Sequence, residues 1–239
     1  MVIKMDLKVL YEDNHIIVVV KPVGVPVQED KSKSEDMLTI IKRYLKEKYN
    51  KPGNVYLGLV HRLDRMVGGV MVFAKTSKAA SRISNYIREK NFKKKYIAIL
   101  NGSIQKSGKA CILKDYLLKN ERLNMSKVVD KETKNAKLAE LEYKVINNFK
   151  NNNKDYTLVD IDLHTGRHHQ IRVQFANKGY PLYGDVKYGQ KINKSKDGVA
   201  LWSYYISFFH PTKDEYLEFK CMPSDVQSYK IDKIWSECL

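Results

Sequence analysis

Residues 59–75, LVHRLDRMVGGVMVFAK, place a short run of charged side chains between two apolar stretches. The run contains Arg62 and Asp64, which share one face if the chain is extended there. A neighbouring guanidinium favours the ionised form of a carboxyl group, so Asp64 could act as a carboxylate in a poorly hydrated pocket. A structural ion pair at the end of a strand explains the same residues, and the local pattern leaves both interpretations open.

A second charged side chain, Arg172, is predicted to lie on the apolar side of a helix. It belongs to the segment LHTGRHHQIRVQFANKGYPLYGD at residues 163–185, in which we predict a helix over 167–178. At about 100° per residue, Arg172 falls in the middle of the apolar arc. An unpaired guanidinium buried there would cost roughly several kcal/mol. We therefore predict that Arg172 forms an ion pair with Asp64.

Three histidines of the same segment raise the question of a metal site. His164, His168 and His169 have no acidic or cysteine partner at a recognised ligand spacing, and Gly166 interrupts the helix that an i, i+4 pair would need. We predict that these histidines make polar contacts near a helix end and that the chain holds no metal. The sequence also lacks the P-loop, GxGxxG, GxSxG and HExxH motifs, which disfavours nucleotide, serine and zinc hydrolysis.

The stretch KKKYIAILNG at residues 93–102 combines lysines with an aromatic residue, Tyr96, at the start of a strand pattern. Basic residues beside an accessible aromatic ring suit a nucleic-acid base that stacks while its phosphates are held. A core tyrosine that follows a solvated basic turn gives the same pattern. The stretch alone does not decide between these interpretations.

The elements that must position these residues follow from hydrophobic periodicity. We predict strands over residues 8–13, 16–21, 57–60, 70–74, 95–100, 140–146, 156–163, 201–209 and 216–220, the strand at 70–74 being buried on both faces. We predict helices over residues 37–45, 77–90, 167–178 and 224–237, and loops over 117–137 and 191–198. This order predicts an α+β fold with a large, mainly antiparallel sheet and a few helices packed on it.

The composition favours a polyanionic partner. The 239 residues include 43 lysines and arginines against 27 acidic residues, which gives a formal net charge of +16. An excess of this size favours nucleic acid before an anionic membrane, although a soluble protein that is merely rich in lysine has the same composition. A hydrophobic content of 43% predicts a folded chain rather than a disordered one. We predict one domain over residues 1–239.

The location is predicted from what the sequence lacks. Apolar stretches such as IIVVV at residues 16–20 are too short to span a bilayer, and charges within the first eight positions disfavour a secretory signal. Cys111, Cys221 and Cys238 are scattered and form no CxxC pair, which is typical of a reducing compartment. We therefore predict a cytoplasmic protein without a membrane partner.

Taken together, these stretches resemble the RluA-type pseudouridine synthase family, in the family's order and over most of the chain. The stretch VVVKPVGVPVQ at residues 18–28 resembles the family's first motif, K-P-x-G. The later motifs read His61-Arg62-Leu63-Asp64, Ala74-Lys75, Lys94-x-Tyr96-x-Ala98, Thr165-Gly166-Arg167-x-His169-Gln170-Ile171-Arg172, Gly179-x-Pro181, Gly184-Asp185 and Tyr188-Gly189.

The resemblance implies isomerisation of uridine to pseudouridine within ribosomal or transfer RNA, without a metal or an organic cofactor. It implies a mixed, mainly antiparallel sheet of two halves with a central cleft and flanking helices. The catalytic residues would be Asp64 as the essential carboxylate, Tyr96 stacked on the target base, and Arg172 paired with the aspartate. Substrate-binding residues would be His61, Arg62, Lys95, Arg167, His169, Gln170 and Ile171. We expect a monomer with no separate N-terminal RNA-binding domain.

The chain departs from the family pattern at a few positions. Residues 67–69 read Val-Gly-Gly where Thr-Ser-Gly is common, which removes two hydroxyl groups from the loop after Asp64. Gln174 stands where histidine is frequent, and Val20 where asparagine is often found. We expect target choice to depend on the loops 117–137 and 191–198.

Two other functions remain open at this point. The first is an RNA-binding or RNA-folding factor that has the same fold and does not catalyse. The second is a metal-dependent nuclease that uses the histidines. The joint presence of Asp64, Tyr96 and Arg172 favours the synthase over the binding factor.

Overall fold

The structure is a computed structural model that describes residues 7–30, 33–105, 108–189, 192–193, 198–226 and 233–239. It divides the chain into two compact units. Most of the first unit is Met1–Phe92 with Ser203–Met222, and most of the second is Lys93–Trp202.

Eleven strands and three α-helices are assigned in the described residues. The strands are β1 (Val9–Glu12), β2 (Ile16–Lys21), β3 (Gly58–Leu59), β4 (Gly68–Ala74), β5 (Lys93–Asn101), β6 (Cys111–Asn120), β7 (Met125–Val129), β8 (Lys137–Asn151), β9 (Lys154–Leu163), β10 (Leu201–Phe209) and β11 (Tyr216–Lys220). The helices are α1 (Met37–Lys48), α2 (Ser77–Arg88) and α3 (Gln170–Asn177).

Two strands form the buried centre of the first unit. β2 and β4 pair antiparallel from Ile16 opposite Ala74 to Lys21 opposite Gly69, and every residue of both strands is buried. β1 flanks β2, β3 pairs with β4, and β10 follows β4 in the strand order and carries β11. The prediction that residues 70–74 form a strand buried on both faces is confirmed.

β4 and β10 approach each other very closely at Gly69. The φ angle of Gly69 is +124°, and a Cβ atom there would lie 2.2 Å from the carbonyl oxygen and 2.6 Å from the nitrogen of Ser203. Real Cβ atoms do not occur at such distances, and the backbone conformation itself favours glycine. The strand that leaves the Asp64 turn therefore begins at a backbone-to-backbone contact.

Both helices of the first unit have a side-chain cap and one buried face, as their sequence periodicity predicts. The Asp36 carboxylate accepts a hydrogen bond from the Thr39 amide (3.1 Å), and the Thr76 hydroxyl accepts one from the Ala79 amide (3.2 Å). The buried residues are Met37, Ile40, Ile41 and Leu45 in α1 and Ala79 and Ile83 in α2. Among the helices of the described ranges, none has the length and apolar character that crossing a bilayer requires.

The second unit contains a sheet with the strand order β5-β9-β8-β6-β7, in which all neighbours are antiparallel. β8 and β9 form the long hairpin that the sequence predicts, with Asn151 opposite Lys154 at its turn. On one face of the sheet, Val173 of α3 joins Leu117 and Ala139 in an apolar cluster. The predicted α+β class with a mainly antiparallel sheet is confirmed.

The prediction of a long loop at residues 117–137 was wrong. β6 continues to Asn120 and β7 returns from Met125, so that Leu117 lies opposite Val128 and Lys119 opposite Ser126. Only one face of this hairpin is partly buried, and the many charged residues on the other face and in the turn hide the alternating pattern of a strand.

Two helix predictions also need correction. α3 begins at Gln170 rather than at residue 167, because the Gln170 side chain accepts the Arg167 amide and His169 adopts a left-handed backbone with φ 53°. The tail forms two short 3₁₀ turns, Pro223–Asp225 and Lys233–Glu237, and the residues between 226 and 233 lie outside the description. Of the predicted loop 191–198, only 192–193 and 198 are described.

Candidate active site

Asp64 lies in the turn between β3 and β4. Its side chain is half-buried, whereas Leu63 and Val67 beside it are buried and hold the turn against the core. The Val67 amide donates to the Asp64 carbonyl oxygen at 3.0 Å, which closes the turn. The residue predicted to be the catalytic carboxylate is thus held on a fixed backbone at the entry to a buried strand.

A buried lysine fixes the residue that follows Asp64. Lys21 has no exposed surface, and its Nζ donates to the carbonyl oxygens of Pro22 (2.7 Å), Val25 (2.7 Å) and Arg65 (3.0 Å). Burial lowers the pKa of Lys21 to about 7, the Asp64 carboxylate opposes this change, and the Arg65 guanidinium adds to it. Asp64 therefore lies within electrostatic range of a buried amine.

The loop after β2 and the Asp64 turn are also joined through their backbones. The Gly24 amide donates to the Arg65 carbonyl oxygen (2.9 Å), and the Arg65 Nε donates to the Gly24 carbonyl oxygen (2.9 Å). The KPVG and HRLD motifs, which are some 40 residues apart in the sequence, thus form one structural element. The sequence predicted both motifs but not this connection.

The two residues at the start of the HRLD motif have different surroundings. His61 Nε2 accepts a hydrogen bond from the Val72 amide (3.1 Å), and its ring packs against Phe92 with the centroids 5.4 Å apart. These contacts tie the Asp64 turn to β4. Arg62 is exposed. Contact of either residue with a substrate remains a prediction.

Arg172 in the second unit is buried, as predicted, and it has an acidic partner that the sequence analysis missed. Its Nε and Nη2 donate to the two carboxylate oxygens of Asp185 at 2.7 and 2.8 Å. Arg172 is 6% exposed and Asp185 is 0% exposed, so that two charges are removed from water as a pair. The sequence signal for this partner is the Gly184-Asp185 motif, which is part of the family resemblance but has no role assigned from the sequence. The pairing of Arg172 with Asp64 remains a prediction.

Further contacts hold this ion pair in place. The Asp185 Oδ1 also accepts the backbone amides of Lys187 (3.0 Å) and Tyr188 (3.2 Å). The Tyr188 ring lies against the guanidinium of Arg172, with its centroid 5.3 Å from Cζ. The carboxylate is saturated by donors, and the guanidinium is stacked on an aromatic ring, so the orientation of Arg172 is fixed.

His169 is an uncharged part of the same cluster. Its Nδ1 lies 2.8 Å from the Tyr188 hydroxyl, which also accepts the Ser126 amide at 2.8 Å. Burial lowers the pKa of His169 to about 2, and the positive charge of Arg172 acts in the same direction. The His169 ring is therefore neutral and is held against the Tyr188 hydroxyl.

Gln170 and Ile171 have internal contacts. The Gln170 Oε1 accepts from the Thr165 hydroxyl (2.8 Å) and from the Arg167 amide (3.0 Å), and its Nε2 donates to the Glu140 carbonyl oxygen (3.1 Å). Ile171 is buried in the core. Their predicted contact with RNA remains untested, and the contacts that the structure provides shape the loop 165–169.

Tyr96 and its neighbouring lysines lie on β5. Tyr96 is 5% exposed and pairs with Ile161 of β9. Side chains alternate along a strand, so Lys94 shares a face with Tyr96, whereas the predicted Lys95 lies on the other face. Burial lowers the pKa of Lys94, and a Cβ atom at Gly166 would lie 3.5 Å from its Nζ. Lys94 therefore reaches the loop 165–169, although the sequence analysis assigned the binding role to Lys95.

The histidines have protein partners. His164 Nδ1 lies 3.2 Å from the Glu140 carboxylate, and His168 Nδ1 lies 3.0 Å from the Ser126 hydroxyl. Within the ranges that the structure describes, no cluster of three or more histidine, cysteine or acidic residues is arranged to hold a metal ion. His164 and His168 thus make polar contacts with the protein, and the absence of a metal stays a prediction.

Comparison with known proteins identifies the family. Residues 15–177 match the family model described as RNA pseudouridylate synthase. An uncharacterized RNA pseudouridine synthase of Bacillus subtilis is 32% identical over 227 residues, which cover 93% of this chain and 71% of the relative. A ribosomal large subunit pseudouridine synthase C of Buchnera aphidicola is 34% identical over 215 residues, which cover 86% of this chain and 63% of the relative.

A solved structure gives the same answer for the fold. The human RNA pseudouridylate synthase domain containing 1 aligns with a TM-score of 0.74 over 93% of this chain and 87% of that chain, at 22% identity. A likeness at this identity concerns the fold alone, and the sequence matches supply the family. The chain belongs to the RNA pseudouridylate synthases, which are isomerases that act on uridine in RNA.

Proposed function

We propose that this chain converts specific uridines of ribosomal RNA into pseudouridine. The observation that carries the proposal is the family match over residues 15–177, a range that contains Asp64, Tyr96 and Arg172. The ribosomal substrate is proposed because relatives from Buchnera and Vibrio are named ribosomal large subunit pseudouridine synthase C. The net charge of +16 supports a polyanionic substrate whose binding weakens as salt is added.

In the proposed reaction the bond between N1 of uracil and C1′ of the ribose breaks, and a bond between C5 and C1′ forms. The proton on C5 is then released and N1 takes up a proton, so that the product is an isomer of uridine. Asp64 is the catalytic carboxylate, which attacks C1′ or otherwise assists cleavage of the glycosidic bond. The fixed backbone of its turn supports this role. Lys21 Nζ holds that backbone by donating a hydrogen bond to the Arg65 carbonyl oxygen. A carboxylate on a rigid turn loses little freedom when the substrate binds.

Tyr96 and Arg172 complete the proposed catalytic set. The target uridine leaves the base stack at a cost of about a few kcal/mol, and Tyr96 stacks on the detached base while it turns. Arg172 supplies a positive charge for Asp64, and its bidentate contact with Asp185 supports a fixed guanidinium. Proposed substrate contacts come from His61, Arg62, Lys95, Arg167, His169, Gln170 and Ile171. In this proposal the chain acts as a monomer and as one catalytic domain.

Release of tritium from C5-labelled uridine tests the reaction directly. With labelled ribosomal RNA transcripts as substrate, we expect the wild-type protein to release tritium. The Asp64→Asn variant should lose activity by roughly 10³-fold or more, because the amide is neither a nucleophile nor a base. The matched control is Asp214→Asn, an exposed aspartate of the same unit, which should retain wild-type activity.

Three outcomes would contradict the proposal. Equal silence of wild type and Asp64→Asn, with RNA binding intact, would indicate a binding factor. Release from transfer RNA transcripts but not from ribosomal RNA would overturn the substrate class. RNA cleavage that EDTA abolishes would indicate a nuclease, whereas an isomerase leaves the RNA intact.

A further inference from the structure

A pocket lies between the β6–β7 hairpin and the loop 165–169 of the second unit. Its volume is about 410 Å³, which is within the range of small-molecule sites. The side chains that the inference uses are Leu117, Lys119, Ser126, Lys137, Arg167 and His168. The sequence analysis expected residues 117–137 to take part in target choice as a loop, and it named no binding residue there.

The charged lining of the pocket favours an anion. Lys119, Lys137 and Arg167 line it together with one carboxylate, Glu121, which Lys119 already holds at 2.6 Å. The Arg167 Nε donates to the Leu138 carbonyl oxygen at 2.8 Å. This bond fixes the guanidinium plane, and in the described part of the chain its two Nη groups have no hydrogen-bond partner. Two cations, Arg167 and Lys137, are therefore available for phosphate oxygens.

His168 supplies an aromatic surface in a fixed orientation. The Ser126 hydroxyl donates to the His168 carbonyl oxygen (2.9 Å), so its contact with His168 Nδ1 (3.0 Å) is one in which the ring donates. The ring also stacks on His169 with centroids 3.8 Å apart. Histidine is among the side chains on which unpaired RNA bases stack. Leu117 adds an apolar, buried wall to the same pocket.

The pocket is connected to Arg172 by a series of ring contacts within one unit. His168 stacks on His169, the His169 ring lies 5.6 Å from that of Tyr188, and the Tyr188 ring lies 5.3 Å from the Arg172 Cζ. A nucleotide bound at the pocket is therefore linked to Arg172 through three successive ring contacts.

We propose that this pocket binds a nucleotide flanking the target uridine, with its base stacked on His168 and its phosphate held by Arg167 and Lys137. The inference rests on the proposed function, since it names a second contact of the same RNA. It assigns to the β6–β7 hairpin a part in target choice. It also explains why a partly buried histidine is oriented by a serine of the neighbouring strand.

Binding of a labelled single strand tests the pocket without catalysis. The probe is a fluorescein-labelled octauridylate, measured by anisotropy against protein in the Asp64→Asn background, so that no turnover occurs. We expect His168→Ala to weaken binding by about 5- to 100-fold, the range for loss of one base stack. His168→Phe should bind within about threefold of the parent, because it restores the stacking surface without the ring nitrogen. The matched control His164→Ala should bind as the parent does.

An abasic probe separates stacking from a general disturbance of the fold. With an abasic oligomer of the same length, the difference between His168→Ala and its parent should vanish. A loss of the same size with both probes would overturn the assignment of a base to His168. No loss with either probe, or no recovery in His168→Phe, would overturn it as well.

Salt dependence tests the phosphate contacts. In Arg167→Gln and Lys137→Gln the slope of the logarithm of the binding constant against the logarithm of salt concentration should fall by about 0.7 each. Lys127→Gln is the control, because Lys127 lies on the same hairpin with its side chain on the other face. A change in Lys127→Gln as large as in Lys137→Gln would overturn the phosphate site.

A final arm separates RNA from a free nucleotide. Uridine monophosphate at 100 times the probe concentration should not displace the octauridylate. Displacement would assign the pocket to a free nucleotide and overturn the inference. If octauridylate binding depends on the pocket but no RNA releases tritium, the proposed function fails while the pocket stands as an RNA-binding site.

Discussion

Each of the two units buries a cation among its described residues, Lys21 in the first and Arg172 in the second, and these two cations are stabilised differently. Lys21 in the first unit donates to three backbone carbonyl oxygens, and burial lowers its pKa to about 7. Arg172 in the second unit faces a carboxylate, that of Asp185, through two parallel hydrogen bonds. Carbonyl dipoles solvate a charge without neutralising it, whereas a carboxylate cancels it.

The stability of the two units therefore depends differently on pH. The cation of the first unit loses its charge near neutral pH, so the joint between the KPVG loop and the Asp64 turn depends on pH. The cation of the second unit is a guanidinium, which stays charged at any pH that the fold tolerates. Its charge faces the buried carboxylate of Asp185, and removal of Asp185 would take away both hydrogen bonds of that pair.

The largest expected effect is therefore on the second unit. We expect Asp185→Ala to lower the free energy of unfolding by about 3–5 kcal/mol, because it removes the bidentate carboxylate partner of the buried Arg172 guanidinium and the acceptor of two backbone amides. Urea denaturation at pH 7 measures this loss. Asp155→Ala is the control, since its exposed ion pair with Lys150 at 3.8 Å should contribute about 0–1 kcal/mol. A loss in Asp185→Ala as small as in the control would remove the comparison.

A smaller effect is expected from the pH dependence of the first unit. The folded-state pKa of Lys21 is lowered from 10.5 to about 7, so between these values the unfolded chain binds a proton that the folded chain does not. Stability therefore rises with pH in this window, by up to about 1.4 kcal/mol per pH unit. We expect the wild-type free energy of unfolding to gain about 2 kcal/mol between pH 7 and pH 9 relative to Lys21→Met.

Urea denaturation at pH 7, 8 and 9 measures that gain. Lys127→Met, which changes an exposed lysine, should follow the wild-type profile. Parallel profiles for wild type and Lys21→Met would mean that Lys21 keeps an ordinary pKa, and the contrast between carbonyl and carboxylate stabilisation would fail.

The smallest expected effects are changes in the pKa of Lys21 when the charges of Asp64 and Arg65 are removed. Because the Asp64 carboxylate opposes the fall in the Lys21 pKa, Asp64→Asn should lower that pKa further. Because the Arg65 guanidinium adds to the fall, Arg65→Gln should raise it. A ¹⁵N titration of the Lys21 amine measures both changes. Shifts of the same sign in the two variants would show that Lys21 responds to packing rather than to these charges.

The sequence predicted what depends on local pattern. The buried strand at residues 70–74 and the burial of Arg172 on a helix both follow from the spacing of apolar and charged residues. The need for an anionic partner of Arg172 was also predictable from the cost of a buried charge. These features require only the geometry of one helix or one strand.

The features that the sequence did not predict depend on distant segments. Asp185 meets Arg172 because the chain after α3 folds back, and nothing in its spacing reveals that return. Lys21 ends an apolar strand, where a lysine ordinarily reaches solvent, and only the arrangement of two loops gives it three acceptors. Strands β6 and β7 carry too many charges for their single buried face to be visible in the sequence.

The contact between β4 and β10 limits which residue this chain can carry at position 69. At Gly69 the space for any side chain is taken by the backbone of Ser203, so the residue is fixed by excluded volume rather than by chemistry. A side chain at position 69 would therefore force the β4 and β10 backbones apart at the start of the strand that follows the Asp64 turn.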